Sequence, residues 1–179
     1  MFQCLGVFML QKIKNYSLNK RTNRNLSERD FSQRNTPLKY LGFLIDETFF
    51  DEFETLYGFG TDLGLQRKDI KLFTFVETRK KIPSLRHNQV TNKEFNWRGE
   101  IHNPDAREFL DYPFDVLIAF YKDKHNYLDA LAAESKAKFK MGFNDADKRL
   151  FDLLLSVDLK DLALFKAEVE KYLRVMKKI

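Results

Sequence analysis

Residues 114–143, FDVLIAFYKDKHNYLDALAAESKAKFKMGF, decide the fold class. Phe114 to Tyr121 is apolar almost throughout, as a strand covered on both faces must be. A charged loop follows, Lys122-Asp123-Lys124-His125-Asn126. Tyr127 to Ala137 then reads as a helix, with Leu128, Leu131, Ala132 and Ser135 on one face and small alanines that let it lie close to a sheet. Phe139 to Phe143 is a second strand. Strand, helix and strand in that order make a parallel crossover, right-handed by default.

Working outward, Leu38 to Ile45 (LKYLGFLI) and Ile70 to Glu77 (IKLFTFVE) read as further buried strands, and Phe151 to Val157 (FDLLLSV) as another. Between the first two, Asp46 or Thr48 is placed to cap a helix carrying Phe49, Phe53 and Leu56, with Gly58 and Gly60 as its end and Gly64 as a turn. Glu94 to Trp97 reads as a short edge strand. Asn103-Pro104 starts a helix through Leu110, since Pro loses nothing at a first helical turn. Asp161 caps a last helix with Leu162, Phe165, Val169, Leu173 and Met176 on its core side. The pattern predicts an α/β fold: a three-layer, Rossmann-like, mostly parallel sheet of five to six strands with helices on both faces, in one domain over residues 37–179.

The net charge of +5 is unevenly placed. Residues 1–40 hold eight Lys/Arg against two Asp/Glu, whereas residues 41–179 hold 23 against 24. The basic character belongs to an N-terminal arm, residues 1–36. There Phe2, Leu5, Met9, Ile13 and Tyr16 fall on helical spacing beside Lys12, Lys14 and Lys20, followed by Arg21 and Arg24. The polar run Asn19 to Asn35 reads as loose or extended. Such an arm suits an anionic membrane surface, RNA or DNA, or a protein partner; its apolar stripe could also pack on its own domain or on a second copy. No run is long and apolar enough for a membrane span. The charges follow the apolar start instead of preceding it, the reverse of a secretory signal. Met9 is a second candidate start.

In an open parallel sheet, ligands collect outside the carboxyl ends of the strands. That rule nominates Asp46, the segment Thr78-Arg79-Lys80-Lys81 with Arg86, and His125-Asn126. Asp46 ends an apolar strand, the position of a general base or of a helix cap. His125 titrates near neutrality, and the cationic run complements a phosphoryl group. No phosphate-binding glycine loop follows a strand, since Gly58, Gly60 and Gly64 come after a helix. His87 and His102 are too widely spaced for a metal motif, and the single Cys4 forms no internal disulfide. The sequence therefore implies no cofactor and no metal, and places no catalytic nucleophile. Two functions follow: a non-enzymatic binding or scaffolding module acting through the arm, or an enzyme or sensor taking a phosphorylated or nucleotide-sugar ligand at the strand ends.

The 114–143 stretch, with its K-x-G strand at Lys140-Met141-Gly142, resembles an uncharacterised family of small Bacteroidetes proteins that carry a domain of unknown function. The resemblance covers most of residues 10–179. It implies a bacterial protein, cytoplasmic or membrane-peripheral, and brings no activity. The same stretch is similar to the N-terminal half of heptosyltransferase-like glycosyltransferases at Asp115, Ile118, Ala137 and Gly142. Phe120 or Tyr121 stands where those enzymes end the strand in aspartate, so the similarity implies the fold and no catalytic residue.

Overall fold

The computed structural model describes residues 2–78 and 85–179. Six strands form one sheet: β1 (Leu41–Asp46), β2 (Ile70–Val76), β3 (Gln89–Thr91), β4 (Val116–Phe120), β5 (Lys140–Phe143) and β6 (Leu153–Leu155). Their order is β3-β2-β1-β4-β5-β6 and every pair is parallel. Leu41 sits between Ile70 and Val116, which sets the register of the three central strands. The chain winds outward from β1 in both directions, the doubly wound arrangement in which the order reverses between β1 and β4.

Alternation along the strands sends side chains to two cores. Phe43, Ile45, Leu72, Ile118, Phe120 and Met141 face α2 (Phe53–Asp62) and α5 (Leu162–Val175). Leu44, Phe73, Phe75, Leu117, Ala119 and Tyr121 face α3 (Pro104–Asp111) and α4 (Asn126–Glu134). Caps follow local chemistry. The Asn103 side chain accepts from the Ala106 amide ahead of Pro104, and Asp161 accepts from Leu164 N–H to open α5.

α1 (Phe2–Ser27) lies on the outside of α4. α4 is buried from Tyr127 through Ala133, and a helix apolar on every side must be covered on every side. The sheet covers one flank and α1 the other. Gln11 Nε2 donates to Tyr127 Oη at the start of α4, while Arg21 forks onto Glu134 at its end with bonds of 2.9 and 2.8 Å. The two helices therefore run in the same direction. Leu18 and Thr22 are buried between them. Gly99 lets the chain pass close to α1: its φ is +73°, and a Cβ there would lie 3.1 Å from the Leu18 nitrogen.

Several boundaries depart from the sequence reading. Residues 19–27 are helical instead of loose, because Leu18, Thr22 and Arg21 find partners in the domain that a local reading of polarity does not see. β1 starts at Leu41: the Leu38 amide bonds the Lys178 carbonyl, and those of Lys39 and Tyr40 bond the Asp115 carboxylate. α2 starts at Phe53, so neither Asp46 nor Thr48 caps it. Gly58 and Gly60 lie within it, and Gly64, at φ +89°, makes the turn beyond. The edge strand is Gln89–Thr91. Phe95 makes a single antiparallel bridge to Ile101 around a turn closed by Asn96 N–H to Glu100.

Candidate functional site

The order reversal brings the carboxyl ends of β1, β2 and β4 together. The Asp46 carboxylate accepts from the Thr48 amide at 2.9 Å and the Thr48 hydroxyl at 2.6 Å, closing a turn. Glu47 accepts from Arg86 and, at 2.8 Å, from Gln89. Thr78 donates its amide to the Asn92 side chain, and the Asn92 carbonyl takes the Lys14 ammonium at 2.6 Å. His125 is the N-cap of α4. Its Nδ1 accepts from Leu128 N–H at 3.2 Å, which leaves the ring proton on Nε2, 3.9 Å from the Glu77 carboxylate. Burial draws the His125 pKa down against the opposing pull of Asp46 and Glu77. A neutral imidazole with its N–H toward an acid results. Asn126 is the first residue of α4.

The structure thus gathers Asp46, Glu77, Thr78, His125 and Lys14 at one end of the sheet, and pairs Arg86 with Glu47. Arg79, Lys80 and Lys81 lie outside the described residues. The helix starts at this edge are already occupied. Asp51, Glu52 and Glu54 surround the start of α2, and His125 takes the Leu128 amide of α4. The Phe50 ring packs edge-on against Phe120, centroids 4.7 Å apart, where a dinucleotide fold keeps a glycine turn open for a pyrophosphate.

Behind the β4 loop, Asp129 is buried. Tyr121 Oη donates to one carboxylate oxygen at 2.8 Å and the His125 amide to the other at 3.1 Å. Burial dominates and raises the Asp129 pKa to about 6, the two donors pulling the other way. An acid whose pKa is higher folded than unfolded stabilises the fold below its unfolded value and loses that contribution as pH rises to the folded one. The window is therefore about pH 4 to 6. Between pH 4 and pH 7 the stability difference between Asp129→Asn and the parent should move in the variant's favour by about 2–3 kcal/mol, since each tenfold change in proton affinity on folding is worth about 1.36 kcal/mol. Urea unfolding across that range measures it.

The cations of α1 divide by face. Lys14 and Arg21 point inward, to Asn92 and Glu134, and Lys14 also lies 5.3 Å from the centre of the Tyr127 ring. Lys12, Lys20 and Arg24 lie on the exposed side. So do three apolar residues of the helical stripe: Met9 is 68 % exposed, Ile13 43 % and Tyr16 69 %. At those three positions the stripe does not pack on its own domain. The docked face is the polar one, with Leu18 as its fully buried apolar anchor.

Sequence reasoning also missed two cavities. One, of about 280 Å³, opens at the ends of β4, β5 and β6, where Lys122 faces Asp158 at 3.8 Å and Asn144 bonds Ser156 at 2.6 Å. The other lies beside α1 at the far end of α4. Pairing of the Ser156-Val157 loop with the distant Asn144-Asp145 turn depends on strand order, which local pattern does not carry. Among the described residues no three His, Cys, Asp or Glu side chains converge as a metal ion would need, and no helix is long and apolar enough to cross a membrane.

No curated protein and no solved structure matches the chain. The model of one protein family matches residues 14–176, a span that takes in all six strands and the second half of α1. The chain belongs to that family, described as a family of unknown function (DUF6913).

Proposed function

We propose that this protein is a non-enzymatic binding module that lies on an anionic membrane surface through the outward face of α1. One observation carries the reading: α1 docks by its polar side and turns Met9, Ile13 and Tyr16 to solvent, in line with Lys20 and Arg24. Residues 9, 13, 16, 20 and 24 recur at helical spacing, so apolar and cationic groups form one stripe. A helix lying in a bilayer interface needs that combination, with apolar side chains at the acyl boundary and Lys or Arg at the headgroups. Each basic residue contributes about 1 kcal/mol near an anionic surface. Because α1 is already ordered against α4, binding carries little of the ordering cost that a free amphipathic segment meets. Tyr16, Lys20 and Arg24 fall within the family span, whereas Met9 and Ile13 precede it.

Sedimentation with vesicles of phosphatidylglycerol and phosphatidylcholine, compared with phosphatidylcholine alone, tests the proposal. The parent protein should bind the anionic vesicles, more weakly as salt rises. The triple variant Met9→Glu, Ile13→Glu, Tyr16→Glu should bind at least about tenfold more weakly, and Lys20→Glu should weaken binding and flatten its salt dependence. Equal sedimentation with neutral and anionic vesicles would overturn the proposal. So would a stable dimer in solution that the triple variant dissolves, because the stripe would then belong to a second copy.

A further inference from the structure

Beside α1 lies a cavity of about 400 Å³, bounded by the second half of α1 and the last turns of α3 and α4. Its walls are rich in donors. Arg21 and Arg107 converge on Glu134 and use up that acid. Arg29 is set deeper, its side chain only 7 % exposed. Two of its nitrogens are engaged, with the Asp152 carboxylate and, at 3.3 Å, the Leu150 carbonyl. Its Nε is buried without an acceptor, and so is Nδ2 of Asn25, another wall residue. Two donors shut away from water and unpaired in one wall cost about 1–3 kcal/mol each, a cost that an acceptor-only ligand would relieve.

The surroundings favour an anion there. The carbonyl end of α4 would repel one, but Lys140, buried beneath it, donates its ammonium to the carbonyls of Ala132 at 2.6 Å and Ala133 at 3.4 Å. Arg24 and Lys136 stand exposed at the rim. The acids nearby limit what can enter. The Asp30 carboxylate is turned into its own loop, accepting from the Ser32 amide and hydroxyl, while Glu28 and Asp111 remain at the rim. Those two disfavour an extended polyanion such as a nucleic-acid backbone. They leave room for one compact oxyanion.

We infer that this cavity is a binding site for a single phosphoryl group, carried by a small phosphorylated solute, with Asn25, Arg29, Arg24 and Lys136 as its donors. The site is at the opposite end of α4 from the strand carboxyl ends and does not depend on the apolar stripe of α1. Guanidinium and ammonium groups form charge-assisted bonds to phosphate oxygens, and a rotation of the Asn25 and Arg29 side chains toward the cavity would bring their two unpaired nitrogens to those oxygens.

Thermal unfolding in rising inorganic phosphate, at ionic strength held constant with sodium chloride, tests it. The parent protein should show a saturable rise in melting temperature. Asn25→Ala and Lys136→Ala should each raise the apparent Kd at least tenfold. Without phosphate, Asn25→Ala should melt no lower than the parent, since it removes an unpaired buried donor. The triple stripe variant should keep its phosphate affinity, so failure of the membrane reading leaves this one standing. Phosphate that also releases the protein from anionic vesicles identifies a lipid headgroup as the source of the phosphoryl group and overturns the small-solute assignment; phosphate without effect on vesicle binding supports it. The absence of saturable stabilisation in the parent, or an unchanged Kd in both variants, would refute the site.

Discussion

Replacing Leu18 by aspartate is expected to destabilise the protein by about 4 kcal/mol or more and to release α1 from the domain. Leu18 is fully buried against α4, so the variant places a carboxylate away from water, on a face whose cations, Lys14 and Arg21, are already bonded to Asn92 and Glu134. The consequence spreads, because α4 has no polar flank to show to solvent. Tyr127 through Ala133 are all buried, and loss of α1 uncovers the side of that run turned away from the sheet. Leu10→Asp is the matched control. It makes the same chemical change in the same helix at a position 61 % exposed, where the expected effect is within about 0.5 kcal/mol. Urea titration followed by circular dichroism measures both. If the two variants lost stability equally, the docking of α1 by its polar face would be wrong.

The second large effect is expected at Asp115, which anchors the entry to the sheet at the opposite edge from the strand ends. Its buried carboxylate accepts from the amides of Lys39 and Tyr40 at 2.9 and 3.0 Å, from the Thr36 hydroxyl at 3.2 Å and from the Lys138 ammonium at 2.8 Å. Burial alone would raise its pKa, but the Lys138 bond and the two amides outweigh it and hold the carboxyl below the usual range. A carboxyl depressed in the folded state stabilises above its unfolded pKa, and that contribution is lost as pH falls through the folded value. Asp115 therefore strengthens the fold at neutral pH and fails on the acid side, below about pH 4. Asp115→Ala leaves two amides and an ammonium without their acceptor and is expected to cost about 3 kcal/mol at pH 7. The penalty should shrink steadily below pH 4, where the parent loses its own charge. A penalty unchanged between pH 7 and pH 3 would show that the ionised form does not matter.

How much of this was legible in the residues depends on how local the cause is. The β4, α4, β5 unit could be read because its apolar runs are long and the loop between strand and helix is charged. Asn103 and Asp161 as caps could be read for the same reason, each acting within four residues of itself. β3 could not: three residues, Gln-Val-Thr, become a strand because the edge of β2 from Thr74 to Val76 is there to pair with. The orientation of α1 was legible only indirectly. The stripe Phe2, Leu5, Met9, Ile13, Tyr16 draws the eye as a core face, yet the inward side is built of Gln11, Lys14, Leu18, Arg21 and Thr22. The available signal lay elsewhere, in the missing polar flank of α4, which requires a second cover from some part of the chain.

At the strand ends, Asp46 was legible as an acid closing an apolar strand and His125 as a residue of the charged loop after another, and their pairing with Thr48 and Leu128 is again local. Gathering Lys14 and Asn92 at the same end requires the sheet order. The unpaired donors of Asn25 and Arg29 needed coordinates altogether, since an absent partner leaves no mark in a sequence.

The outward stripe of α1 is most directly tested by fluorescence of a single tryptophan at position 16, Tyr16→Trp, with Trp97→Phe removing the native indole. A red, water-exposed emission is expected in free protein, shifting to the blue on adding phosphatidylglycerol vesicles and not on adding phosphatidylcholine alone. A blue emission already present without vesicles, unmoved by either lipid, would place the stripe inside the protein and contradict that expectation.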